Sequence, residues 1–358
     1  MIRLASVIEQ FERDFFKTYR SKILPSHQRA LTALKSCRTR HSPKMLMQCN
    51  ACDHQTYVPH SCGHRNCPHC QHHESQQWIE RQLQKQLPGD YFMITFTLPK
   101  QLRGVTWHHQ KAVYQLMFAC IWESLQTFSL NDRKLQGIPG VTALLHTHSR
   151  RLDFHPHIHA VMPAAAIDCG NRLWRQKQGK YLFNHKALAK VFRAKMLAGL
   201  IDLGFSLATT LPQRWVVDCK PVGSGQPALV YLGRYLYRGV IREKDIVQIS
   251  HGQVTFRYRD SQSKGYRTRT VSGAYFLWLV LQHVLPKGFR RVRNYGFLHP
   301  NSKTLIKRIH QLLSFDPTRW IPTIKPRAQM RCSCCGSVMR ITRTRITSRP
   351  AWITPVPI

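Results

Sequence analysis

Three histidines alternate with other residues in the segment DFHPHIHAVM, residues 153–162, and an apolar run follows them. Alternate side chains of a β-strand point to the same face, so His155, His157 and His159 share one face while Ile158 points away from it. The segment therefore predicts a strand that is buried on its apolar face and binds a divalent cation through His157 and His159 on the other. The alternative is an exposed edge strand that happens to be rich in histidine.

The predicted cation site is rich in nitrogen and open, because Asp153 is the one acidic residue that accompanies the histidines in this segment. An open site that can also hold a phosphate oxygen is typical of a Lewis acid in phosphodiester chemistry. His155 is the candidate third ligand, although Pro156 can kink the strand at that point.

A candidate nucleophile for such chemistry lies in the segment YLGRYLYR. Helical residues four apart share a face, so Tyr231 and Tyr235 point together while Tyr237 is turned away. A phenol with an ordinary pKa of about 10 can attack when a metal polarises the phosphate and nearby cations favour the phenolate. Arg234 and Arg238 form a second pair that can bind DNA phosphates. The alternative is that the paired tyrosines are core or groove aromatics.

The charge of the chain points to a polyanionic partner. Its 358 residues include 54 Lys and Arg against 17 Asp and Glu, a formal net charge of +37. Such a surplus repels itself unless a polyanion is bound, which favours nucleic acid, with an anionic membrane surface as the alternative. No apolar run reaches the roughly 18 residues of a membrane span, and the first residues lack the apolar core of a signal peptide. A cytoplasmic protein is expected.

Cysteine spacing predicts a structural zinc site. The chain has 12 cysteines, and a reducing cytoplasm disfavours disulfides. Two C-x-x-C pairs, Cys49 with Cys52 and Cys67 with Cys70, together offer four thiolates to a tetrahedral ion and leave no position open for catalysis. Neighbours that can compete as ligands are Cys62, His60, His64 and His69.

A further group of cysteines, Cys332, Cys334 and Cys335, lies in the segment CSCCG. One C-x-x-C pair cannot close a tetrahedral site. This group is either half of a second zinc site or no metal site.

The remaining pattern predicts irregularly alternating helices and strands without a dinucleotide-binding or P-loop turn, which weighs against nucleotide-dependent chemistry. The predicted helices cover residues 1–36 with a break at Pro25, 72–87, 107–128, 186–201, 227–241 and 274–286. The predicted strands cover residues 91–99, 141–149, 154–163 and the segment RWVVDCKPV, and a hairpin covers 246–260 with its turn at His251-Gly252.

In this order, the segments SCGHRNCPHCQ, YFMITFTLP, FHPHIHAVM, YLGRYLYR and HVLPKGFRRVRNYG resemble the transposases of the insertion-sequence 91 family. That family belongs to the rolling-circle nucleases with a His-hydrophobic-His motif, and the ordered matches run over most of the chain. The resemblance implies an α+β fold with a central antiparallel sheet and flanking helices, preceded by a small helical and zinc-binding domain.

The resemblance also implies domains and roles. Residues 1–90 correspond to the zinc-binding domain and 91–300 to the nuclease domain, and 301–358 form a basic C-terminal tail. His157 and His159 match the metal-binding pair, with His155 as third ligand and His148 or a residue outside the motif as rivals. Tyr231 and Tyr235 match the two nucleophiles, although some relatives carry a single tyrosine.

The implied function is a bacterial, nucleoid-associated transposase that cleaves and joins single DNA strands through a 5′-phosphotyrosine. Two other functions fit parts of the pattern. A plasmid replication initiator or relaxase uses the same metal and tyrosine chemistry. A non-catalytic zinc-dependent DNA-binding protein needs the positive charge and the cysteine pairs alone.

Overall fold

The computed structural model describes residues 2–39, 41–70, 72–207, 210–236, 239–260, 262–263, 265–320 and 329–346. Its α-helices are α1 Leu4–Tyr19, α2 Pro25–Ser36, α3 His72–Leu83, α4 Arg103–His108, α5 Gln110–Asn131, α6 His185–Asp202, α7 Gln226–Leu236, α8 Gly273–Leu281 and α9 Lys303–Leu312. Among the described residues, no helix is both long and apolar enough to cross a membrane.

The strands within the same residues are β1 Lys44–Cys49, β2 Gln55–Pro59, β3 Tyr91–Thr97, β4 Ile138–Pro139, β5 Val141–His148, β6 Phe154–Pro163, β7 Ala165–Asp168, β8 Leu173–Gln176, β9 Val216–Pro221, β10 Ile246–Ser250, β11 Gln253–Arg259, β12 Tyr266–Ser272, β13 Val292–Tyr295 and β14 Met339–Ile346. All the strand pairs formed by these elements are antiparallel.

The chain divides into two compact units, and each is assembled from separate stretches of sequence. The described residues of 1–73, 238–284 and 324–358 form the first unit, and those of 74–237 and 285–323 form the second. The boundaries at residues 90 and 300 remain predictions about functional domains.

The second unit is built on a five-stranded sheet with the strand order β13-β5-β6-β3-β9. Strand β6, which carries the histidines, lies at its centre, between β5 and β3. A small sheet of β4, β7 and β8 accompanies it. This arrangement confirms the predicted α+β class with a central antiparallel sheet.

The two faces of the central sheet are covered by different helices. One face, which includes Ile158 and Ala160 of β6, packs against α5 and α6 in the main hydrophobic core. On the other face, Leu144 and Val161 pack with residues of α3 and α7, including Trp78. The alternation of β6 therefore directs its histidines toward the face that carries α7.

The first unit contains two three-stranded sheets, with the orders β14-β1-β2 and β10-β11-β12. Helix α1 packs against α8, where the Tyr19 ring stacks on Trp278 with centroids 4.9 Å apart. The predicted hairpin turn is present, and His251 and Gly252 both adopt positive φ angles, as a tight two-residue turn requires.

The structure differs from the sequence predictions most clearly at α7 and after residue 300. Helix α7 ends at Leu236, short of the predicted residue 241, and Gly239 to Ile241 are not helical. Residues 301–358 were predicted as a basic C-terminal tail, and α9 in this stretch buries Ile306 and Ile309. Strand β14 also lies in that stretch, and its pairing with β1 could not be anticipated because the two are far apart in sequence.

Candidate active site and metal centres

Three imidazoles meet on the α7 face of the central sheet. His157 and His159 project from β6, and His146 of β5 lies directly opposite His157 in the strand register. One ring nitrogen from each of the three lies within 4.8 Å of the others, and the His146 and His159 ring centroids are 4.3 Å apart. Three convergent nitrogens of this kind can bind one divalent cation.

Hydrogen bonds fix the orientation of the two β6 histidines. Nδ1 of His157 contacts the backbone oxygen of His155 at 2.7 Å, and Nδ1 of His159 contacts the Thr95 hydroxyl at 2.9 Å. In each ring the bond engages Nδ1 and leaves Nε2 for a metal. Metal-binding histidines are usually oriented in this way by a hydrogen bond at their other ring nitrogen. His146 Nε2 is buried and has no hydrogen-bond partner, so it too is available as a ligand.

All three rings are neutral at physiological pH, as metal ligation requires. Burial lowers the pKa of His157 to about 3 and the pKa of His159 to about 4. Burial likewise lowers the pKa of His146 well below its ordinary value.

His155, the third ligand predicted from the sequence, is outside this group. Its Nδ1 lies 2.9 Å from a guanidinium nitrogen of Arg103, and its place in the group is taken by His146. His148, the named rival, has its Nδ1 3.0 Å from the Ser149 oxygen and is also outside the group. The register of the β5–β6 pair explains why His146 is in the group and His148 is not. His146 lies opposite His157, whereas an irregularity between His146 and His148 places His148 opposite Phe154.

The two tyrosines of α7 lie over the histidines but differ in exposure. Tyr235 is stacked on His146 with centroids 3.4 Å apart and an interplanar angle of 6°, and its hydroxyl is buried. The Tyr231 ring centroid lies 6.2 Å from those of His146 and His159, and the residue is 48% exposed. Burial raises the pKa of both phenols, that of Tyr235 to about 12.

A buried arginine joins α7 to the sheet. Arg291 donates from Nε to the Leu145 oxygen at 3.0 Å and from Nη1 to the Leu236 oxygen at 3.4 Å, and its guanidinium lies 5.0 Å from the Tyr235 ring centroid. The positively charged guanidinium of Arg291 thus lies at the C-terminus of α7, where the helix dipole favours positive charge.

Gly233, between the two tyrosines, allows α3 to approach α7 closely. A Cβ atom there would lie 2.3 Å from Cγ1 of Ile79 and 2.8 Å from Cε3 of Trp78. The Ser75 hydroxyl also donates to the Gly233 oxygen at 2.9 Å. These contacts fix the rotation of α7 and therefore the direction in which its tyrosines point.

Of the two predicted phosphate-binding arginines, Arg234 is exposed on α7. Arg238 lies outside the described residues.

The four cysteines predicted to share one zinc site are divided between two clusters. Cys67 and Cys70 meet Cys37, at the end of α2, and Cys62, a competitor named from the sequence. Three Sγ–Sγ distances in this group are 3.5, 3.6 and 3.8 Å. Four thiolates about 2.3 Å from a tetrahedral zinc ion lie about 3.8 Å apart, so this group fits zinc.

Cys49 and Cys52 belong to the other cluster. Because β1 pairs with β14, they lie beside Cys332 and Cys335. The prediction that Cys49, Cys52, Cys67 and Cys70 form one set is therefore corrected: spacing suggested neighbours, but strand pairing over a long sequence separation selects the partners.

Family models match two parts of the chain. Residues 7–98 match a family described as a transposase zinc-binding domain, and residues 140–304 match a family described as a putative transposase. The chain belongs to the insertion-sequence 91 family of transposases, which have an N-terminal zinc-binding domain. Zinc is accordingly a structural cofactor of this chain.

Two relatives illustrate the family. The chain is 31% identical over 324 residues to a putative transposase y4qJ of Sinorhizobium fredii, covering 83% of this chain and 81% of the relative. It is 27% identical over 267 residues to the transposase for insertion sequence element IS801 of Pseudomonas savastanoi pv. phaseolicola, covering 70% of this chain and 64% of the relative.

Among solved structures, the conjugative relaxase TrwC complexed with a 27-mer DNA matches 63% of this chain and 74% of its own, at 15% identity and a TM-score of 0.27. A metal-free TrwC complex with OriT DNA matches with the same identity and TM-score.

Proposed function

We propose that this transposase cleaves and joins single DNA strands through a phosphotyrosine intermediate, in transposition of the rolling-circle type. The observation that carries the proposal is the position of Tyr231 and Tyr235 over the group of His146, His157 and His159. The name of the relative from the IS801 element and the positive charge of the chain support the same reading.

In this proposal His146, His157 and His159 hold a divalent cation, Mg²⁺ or Mn²⁺. When bound, the cation supplies Lewis acidity to a phosphate oxygen. The three imidazoles are neutral and two of them are held in place by Thr95 and the β6 backbone, so little reorganisation is needed when the ion binds.

Tyr231 is the group we assign to the first cleavage, because its ring is exposed whereas the Tyr235 hydroxyl is buried. The phenol loses its proton, and its oxygen forms a bond to phosphorus. The bond from phosphorus to the 3′ oxygen breaks, and that oxygen takes up a proton. The products are a 5′-phosphotyrosine and a free 3′-OH, and no high-energy cofactor is required because the ester bond is conserved.

Tyr235 is assigned to a second cleavage, at the far end of the element or in the target, after which strand transfer joins the pieces. The Tyr235 ring needs to leave its stack on His146 before its hydroxyl can reach a phosphate. The DNA partner is single-stranded or locally melted, and exposed Arg234, with Arg238, would bind its phosphates.

The zinc site that we assign to the matched zinc-binding domain consists of Cys37, Cys62, Cys67 and Cys70. Four thiolates leave no open coordination position, so this site is structural. In the proposal it organises the surrounding basic residues for contact with DNA.

The test uses labelled single-stranded oligonucleotides from the ends of the element that carries the gene, incubated with the protein and Mg²⁺. We expect a covalent protein–DNA adduct that is lost in the Tyr231→Phe, Tyr235→Phe double variant. The matched control is Tyr181→Phe, an exposed tyrosine of the same unit, which should form the adduct normally. Binding without cleavage across all oligonucleotides would instead favour a non-catalytic DNA-binding protein.

A further inference from the structure

A second cluster of cysteines joins parts of the first unit that are distant in sequence. Cys49 lies at the end of β1 and Cys52 follows in the turn to β2, while Cys332 and Cys335 lie just before β14. The Sγ atoms of Cys49 and Cys335 are 3.4 Å apart, and those of Cys52 and Cys332 are 3.6 Å apart. The two sequence positions joined by the first pair are separated by 286 residues.

The backbone around these cysteines is arranged in two similar turns. The amide of Ala51 donates to Cys49 Sγ at 3.3 Å, and the amide of Cys334 donates to Cys332 Sγ at 3.4 Å. In both turns the donor lies two residues after the accepting sulfur, as it does for His64 and Cys62 in the first cluster. Hydrogen bonds of this kind favour the thiolate, which is the form that binds metal.

The hydrophobic core at this point is very small. The buried apolar cluster consists of Met47, Cys49, Cys332 and Met339, with Val58 packed against it. Two of its members are themselves the cysteines in question, so little apolar burial remains to hold β14 against β1. Small domains with so little core are usually stabilised by a metal or a disulfide.

We propose that Cys49, Cys52, Cys332 and Cys335 bind a second structural zinc ion, which fastens β14 to the β1–β2 hairpin. The sulfur separations fit a tetrahedral ion, for which about 3.8 Å is ideal. The matched zinc-binding domain ends at residue 98 and includes two of these four cysteines, so the site reaches beyond it. The proposal is independent of the proposed cleavage chemistry.

Cys334 provides a matched control within the same five residues. It lies with His54 and Cys332 in an alternative group of three possible ligands. If that alternative group bound the ion, Cys334→Ser would lose metal and Cys335→Ser would retain it. The proposal requires the opposite.

The test is the zinc content of the full chain, purified under reducing conditions and measured by elemental analysis together with a thiol count. We expect two zinc ions per chain in the wild type and in Cys334→Ser, and one in Cys335→Ser and in Cys49→Ser. The same zinc content in Cys335→Ser as in the wild type would overturn the proposal, as would a disulfide in place of the thiols. Cys335→His, which retains a ligand, should restore the second ion.

Discussion

The phenol ring of Tyr235 lies flat on the imidazole of His146, with ring centroids 3.4 Å apart and planes 6° apart. A tyrosine proposed as a nucleophile thus also forms one wall of the proposed cation site. Its neighbour one turn earlier, Tyr231, is 48% exposed and makes no such stack. The two tyrosines therefore have unequal access to DNA before any movement of α7.

The first prediction concerns the unequal exposure of Tyr231 and Tyr235. Tyr231→Phe should lower the rate of the first cleavage by ~1,000-fold or more, because it removes the accessible nucleophile. Tyr235→Phe keeps the stack on His146 and should change that rate by less than about tenfold. Both rates are measured by single-turnover cleavage of an end-labelled oligonucleotide. Equal loss in the two single variants would contradict the assignment of Tyr231.

The second prediction concerns the third ligand. His146→Ala should raise the Mn²⁺ concentration needed for half-maximal cleavage by about 100-fold or more, because it removes a ligand. His155→Ala should raise it far less, since His155 contacts Arg103 and lies outside the ligand group. Titration of cleavage with Mn²⁺, supported by direct ion binding, measures both. A larger effect at His155 would return that residue to the ligand set.

The third prediction concerns the packing beneath the tyrosines. Gly233→Ala should destabilise the protein by about 1–3 kcal/mol, because the added methyl group meets Ile79 and Trp78 on α3. The matched control is Gly104→Ala in α4, where an added Cβ meets nothing within 4 Å, so helix propensity should leave stability equal or slightly higher. Urea unfolding measures both. An unchanged midpoint for Gly233→Ala would show that α3 and α7 separate easily.

The fourth prediction concerns pH and His27, which is fully buried in the first unit beside Trp278. Burial lowers its pKa to about 4, so between pH 6.5 and 4 the unfolded chain binds a proton that the folded chain does not. Stability from this group is therefore present at neutral pH and lost as the pH falls, by about 2 kcal/mol between pH 7.5 and 5. Between pH 7.5 and 5, the free energy of unfolding of His27→Gln should therefore fall by about 2 kcal/mol less than that of the wild type.

That comparison isolates one group because the other histidines are present in both proteins. Gln is chosen because its side-chain oxygen can accept the hydrogen bond that the Leu24 amide now donates to His27 Nδ1. Parallel stability curves for the two proteins over this pH range would contradict the prediction.

Local periodicity was sufficient to predict part of the candidate site. The alternation around His157 and His159 predicted a strand with a histidine face, and the four-residue spacing of Tyr231 and Tyr235 predicted a shared helix face. Both elements are present, although α7 is shorter than predicted. Spacing alone predicted His157 and His159 as cation ligands and the two tyrosines as candidate nucleophiles, and the family resemblance implied the same roles.

Metal-ligand partners that are brought together by strand pairing over long sequence separations were not predictable from local periodicity. His146 was visible as one of two alternating histidines in VTALLHTHS, but its selection over His148 depends on the register and irregularity of the β5–β6 pair. Cys49 and Cys52 had a plausible partner pair nearby in sequence, yet β14 brings them to Cys332 and Cys335. Buried Arg291 lies in a segment that resembles the family, but nothing in its local sequence indicates its contacts with the Leu145 and Leu236 oxygens.

The pairing of β1 with β14 imposes an order on biosynthesis. Once Cys49 has been made, 286 further positions are translated before Cys335 exists, which takes ~15–60 s at ~5–20 residues per second. Throughout that interval one edge of β1 lacks its neighbour, and bare edges of this kind attract other chains. The nascent protein must protect this hairpin from aggregation while residues 74–237, most of the second unit, emerge and fold.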